Sequence, residues 1–103
     1  MNQNEISNQQ GDVILKRVKA VRGKKLAHLV LAEGEKTGHK HQIIEGDAEL
    51  YEENGTLFLR VNSDKAVLAH EEHKHQVIEK GDYQIGIVRE YDHFSEEARN
   101  VAD

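Results

Sequence analysis

Two short segments of this chain repeat one another: His39-Lys40-His41-Gln42-Ile43-Ile44-Glu45 and His73-Lys74-His75-Gln76-Val77-Ile78-Glu79. Side chains alternate between the faces of an extended strand. In that conformation His39, His41, Ile43 and Glu45 share one face, as do His73, His75, Val77 and Glu79. Two imidazoles and a carboxylate on one wall form a nitrogen- and oxygen-donor set suited to a divalent ion such as iron(II), zinc, manganese or nickel, with coordination positions left open for water or substrate. The same wall without an ion would be a polar cavity, because buried imidazoles require hydrogen-bond partners.

A second constellation, His70-Glu71-Glu72-His73, places two imidazoles three residues apart. On a tight bend both would face the same side, towards the His39 and His41 wall. The spacing differs from the H-E-x-x-H zinc-protease helix, whose histidines are four apart. The candidate metal ligands are therefore His39, His41, His73, His70, His75 and Glu45. His28 reads as a core or partner-facing residue and His93 as part of the tail. Thiolate sites and disulfides are excluded, since the chain has no cysteine. No nucleophile arrangement and no Gly-rich phosphate loop is present, so catalytic residues cannot be assigned.

The scaffold for these side chains must be small. The 103 residues suit a single domain, and a hydrophobic fraction of 37% with only 5% aromatics demands an aliphatic core. So thin a core favours a homo-oligomer that covers an exposed face. The polar stretch Met1–Gln10 reads as a disordered tail, residues 11–92 as one β domain, and residues 93–103 as a tail or short C-terminal helix capped by Ser95. Strands are expected over Val13–Val21, Leu26–Ala32, Ala48–Glu52, Thr56–Val61, Ala66–Ala69, Gln76–Glu79 and Tyr83–Glu90, with turns at Asn62-Ser63-Asp64 and Gly81-Asp82. Asn54-Gly55 is a strong type I′ hairpin signal. Recurrent short strands define an all-β fold, a small barrel or sandwich, and the repeat suggests two units related by a pseudo-twofold axis.

Charge and hydropathy exclude other classes. The net charge of −5 makes nucleic acid an unlikely partner, although Lys16, Arg17, Lys19, Arg22, Lys24 and Lys25 form a local basic run. That run reads as a solvated surface. No apolar segment approaches a membrane span, and Met1–Gln10 lacks the apolar region of a signal peptide, which makes the cytoplasm the expected location.

Gly34, His39, His41 and Glu45 resemble the first motif of the cupins. The cupin second motif is not matched, because Tyr83 follows Gly81-Asp82. The resemblance implies a cupin-like barrel with a fourth ligand from His70, His73 or His75. The chain is also similar, over nearly its full length, to a small functionally uncharacterised family of bacterial and phage proteins. That similarity rests on Gly11-Asp12-Val13, Gly38-His39-Lys40-His41, His70-Glu71-Glu72-His73 and Arg89-Glu90-Tyr91. It favours His70 and His73 over His75. Two functions are compatible with these readings: a metal- or polar-ligand-binding barrel acting on a small polar molecule, or a non-catalytic accessory module with structural histidines.

Overall fold

The computed structural model describes residues 6–34 and 38–88. Eight strands, all paired antiparallel, run as β1 (Ile6–Gln10), β2 (Val13–Val18), β3 (Lys24–Lys25), β4 (Val30–Glu33), β5 (Lys40–Glu45), β6 (Ala48–Glu53), β7 (Thr56–Ala69) and β8 (Gln76–Ile87). There is no helix among the described residues, and none long and apolar enough to cross a membrane. The expected C-terminal helix and His93 lie outside those residues.

The sheet order is β1-β2-β8-β7-β5-β4, with β3 and β6 branching from β7. One edge of the 14-residue β7 serves two partners in turn. Its first half pairs with β6, from Glu53↔Thr56 to Ala48↔Val61, and its last residues pair with β5 at Leu68 and Ala69. Strand β8 follows the other edge along both halves. One sheet thus curls around its own inner face, an open relative of the expected barrel.

The corner lies where a turn was expected. Asn62-Ser63-Asp64 does not reverse the chain; it forms an irregularity within β7, where the β7–β8 register shifts between Val61 and Lys65. Ser63 Oγ accepts the Asp47 N–H and donates to the Lys65 carbonyl, and the Asn62 N–H donates to the Asp47 carbonyl. Leu59 and Val61 are buried before the corner, Ala66 and Leu68 after it. The odd step from 61 to 66 means that the extra residues turn the strand over, keeping apolar side chains inward on both sides. Gly81-Asp82, also expected to be a turn, lies within β8 opposite this corner.

Local signals elsewhere hold. Asn54 (φ 52°) and Gly55 (φ 84°) form the two-residue hairpin turn between β6 and β7. Leu15, Leu31, Leu50, Leu59, Leu68 and Ile78 build a largely aliphatic core, to which the aromatic Tyr83 adds the largest fully buried side chain. The expected strand over Leu26–Ala32 is met only in part: β4 takes residues 30–32 of it, while residues 26–29 lie between β3 and β4 with Ala27 and His28 exposed.

The N-terminal stretch differs most from expectation. Ile6–Gln10 is not a tail but strand β1, paired to β2 across Gly11-Asp12. Gly11 (φ 56°) occupies the first position of a two-residue turn that favours glycine there. The polar composition of Ser7-Asn8-Gln9-Gln10 conceals an edge strand whose last residue is 2% exposed.

Candidate functional site

Four of the six candidate ligands come together. His41 lies on β5 and is 8% exposed, on the same inner face as Ile43. His39 precedes β5, while His70 and His73 lie in the loop between β7 and β8. His70 is the hub: its ring centroid is 4.2 Å from His41, 4.7 Å from His73 and 5.6 Å from His39. His41 and His73 are 6.1 Å apart. Four imidazoles around a tetrahedral ion, each about 2.1 Å from it through nitrogen, would have centroids about 5 Å apart. The observed separations bracket that spacing. The rings of His41 and His70 stack at 28°, so rotation about χ2 must open the stack to aim both nitrogens at one point.

Glu45 and His75 do not join the group. The β5–β7 register shifts between Ile43 and Glu45, and this irregularity leaves Glu45 exposed instead of on the His41 face. His75 is exposed in the loop before β8. Carboxylates come from the loop instead. One ligand atom from each of His39, His70 and Glu71 lies within 4.8 Å of the other two. Glu71 accepts the Lys40 N–H at 3.0 Å, and this backbone donor holds its carboxyl below the usual range. Glu72 lies 3.7 Å from His39 Nδ1.

The best-defined ring is His41, and it is held by Gln10. Gln10 Nε2 donates to the Leu68 and Lys74 carbonyls, each at 2.9 Å, which identifies that atom as the amide nitrogen. Gln10 Oε1 therefore faces His41 Nδ1, at 2.9 Å, as an acceptor. The proton must lie on Nδ1, leaving the Nε2 lone pair free. Metal-binding histidines are commonly prepared in this way by an outer partner. Gln10 also meets the requirement that a buried imidazole be partnered, and no buried side-chain nitrogen or oxygen among the described residues lacks a partner. His70 differs, because its Nδ1 accepts the Glu72 N–H at 3.0 Å and that bond must break if Nε2 is to ligate.

Burial, then the neighbouring His70 and His73, lower the His41 pKa from 6.5 to about 4, partly opposed by Asp12 and Glu71. A cavity of about 710 Å³ opens from this cluster. Its lining includes the apolar Val13, Leu31, Leu57, Ile85 and Ile87, and Asp12, Glu33, Glu52 and Glu72 add carboxylates. Gly11 sits behind His73: a Cβ there would lie 2.5 Å from the imidazole Nε2, so the turn glycine makes room for the ring.

Sequence reasoning passed over Gln10, Asp12, Glu71 and Glu72 as functional groups. For Gln10 and Asp12 the available signal was Gly11 itself, a hairpin turn that would carry its neighbours into the sheet. His28 is neither buried nor part of the cluster; it is exposed and its Nδ1 accepts the Val30 N–H.

The chain belongs to the family of the domain of unknown function DUF8820, whose model matches residues 9–88. No curated protein and no solved structure gives a significant match.

Proposed function

We propose that this protein binds one divalent transition-metal ion and presents it to a small ligand in the adjoining cavity. The ion is held by His41 on β5, by His39 just before that strand, and by His73 and His70 from the β7–β8 loop, with Glu71 as the carboxylate grouped with His39 and His70. The single observation that carries this reading is the Gln10 amide, which fixes the His41 proton on Nδ1 and leaves Nε2 unprotonated beside three other imidazoles. A donor set of nitrogen and carboxylate oxygen, without sulfur, suits zinc, iron(II), manganese or nickel. A cupin-like relationship is supported by the His39 and His41 pair at the inner wall of a curled antiparallel sheet, with loop histidines supplying the remaining ligands. The site reads as a binding site first. The apolar residues that share the cavity with the imidazoles suit a small ligand that offers the ion a polar head and the lining a few carbons.

The test is elemental analysis of untagged protein, followed by titration of chelator-treated protein with zinc. The expected result is about one equivalent per chain, lost in the His39→Ala/His41→Ala double variant. Metal-free protein whose melting temperature is unchanged by divalent ions would leave the four rings as structural histidines of an accessory module.

A further inference from the structure

A second concave site lies on the opposite face of the sheet, and it is cationic. Residues 13–32 contain no aspartate or glutamate but six of the chain's 14 lysines and arginines. The fold gathers four of these six around one cavity. On β2, Val13 and Leu15 point into the core, so Lys16 points outward. Lys16 pairs in register with Gln84, and Gln84 with Phe58, which makes a row across β2, β8 and β7 on the outer face. The segment after β2 folds back over this row. Its Arg22 guanidinium stands 5.3 Å from the Phe58 ring centroid, and Phe58 is only 1% exposed beneath it.

The result is a cavity of about 530 Å³ lined by Lys16, Arg17, Lys19, Arg22, Phe58 and Gln84 together with Val18 and Ala20, and none of these is acidic. The carboxylates nearby frame it instead. Asp82 Oδ2 accepts the Val21 N–H at 3.2 Å and Oδ1 pairs with Arg60 at 3.3 Å, which pins the folded-back segment to β8. Among the described residues the ion pairs of Arg17 and Arg22, to Glu79 and Glu53, are exposed and long, each 3.5 Å, and Arg17 also donates to the Lys80 carbonyl at 3.3 Å. Such pairs are weak and leave their charge largely available.

We propose that this cavity binds a small phosphate-bearing ligand, its phosphate held by Lys16, Lys19 and Arg22. Its volume suits a small molecule. A nucleic acid fits less well, because Arg22 covers Phe58, so the cavity offers no open aromatic surface for base stacking, and the chain as a whole is anionic. The proposal is independent of metal binding, since the two cavities share no lining residue.

The experiment is a titration of the full chain with pyrophosphate, followed by calorimetry and backbone amide shifts. It is repeated on Lys16→Gln/Lys19→Gln, on Arg22→Gln and on His39→Ala/His41→Ala. The expected result is saturable shifts confined to residues 16–22 and 84, at least about tenfold weaker binding in the lysine double variant, and unchanged binding in the histidine variant. The arginine variant weakens binding while keeping the parent's amide dispersion, so a folding defect in one variant cannot imitate loss of the site. Shifts that never saturate, equal affinity in all three variants, loss of binding in the histidine variant alone, or binding of a single-stranded oligonucleotide but not of pyrophosphate would each overturn the proposal.

Discussion

The two copies of the histidine repeat agree at six of seven positions but are used in opposite ways. In the first copy Ile43 is 5% exposed and Ile44 48%; in the second the corresponding Val77 is 53% exposed and Ile78 0%. The inward face has moved by one residue, which in a strand moves every side chain to the other face. Accordingly His41 points inward on β5, while His75, its counterpart, is exposed in a loop. Both copies flank β7, where Leu68 pairs with Ile43 on one edge and with Gln76 on the other. Register against a shared strand, together with the Lys74 carbonyl captured by Gln10, sets which residues enter the core. Identical letters do not override it.

The comparison can be broken most visibly at the metal site. His41→Ala should weaken zinc binding by at least about a hundredfold, whereas His75→Ala should leave it unchanged. Isothermal titration of both variants checks this. An equal loss in both would mean that the copies are equivalent after all. The inverted burial gives the next effect. Ile78→Ala should cost about 3 kcal/mol in chemical denaturation and its counterpart Ile44→Ala less than about 1, while Ile43→Ala should cost far more than Val77→Ala.

Smaller effects sharpen the link between β1 and the first copy. Gln10→Ala strands the His41 Nδ1–H, the buried Leu68 carbonyl and the part-buried Lys74 carbonyl, which should destabilise the fold by about 1–3 kcal/mol. It should also weaken metal binding about tenfold or more without removing a ligand. Acid should expose the burial of His41 as well. The native His41 ring resists protonation down to about pH 4, whereas the same ring in the unfolded chain titrates near 6.5. The unfolded state therefore binds more protons between those values, and stability must fall as pH drops from 6.5 towards 4. Replacing His41 with Gln should flatten that slope in urea melts collected across the range.

Much of this was legible before any coordinates. The all-β class, the Asn54-Gly55 hairpin and the inward position of His41 beside Ile43 follow from alternation and turn chemistry, which act over a few residues. What was not legible depends on distant pairing. The β7 corner looks like a turn because Asn62, Ser63 and Asp64 are turn formers, yet Asp47 supplies hydrogen-bond partners that let the strand continue. Gln10 looks like part of a solvated tail because its partners, His41, Leu68 and Lys74, are 31 to 64 residues away. Glu45 looks like the ligating carboxylate only while β5 is assumed regular, and one irregularity at Ile43 removes it.

The most direct measurement is a long-range proton–nitrogen NMR spectrum of the imidazole rings, taken before and after one equivalent of zinc. A metal site built on His41 requires that His41 carry its proton on Nδ1 in both spectra, and that zinc shift Nε2 of His41 together with ring nitrogens of His39, His70 and His73. His28 and His75 should be unmoved. Rings that all stay unshifted by zinc, or a response centred on His75 instead of His41, would contradict it.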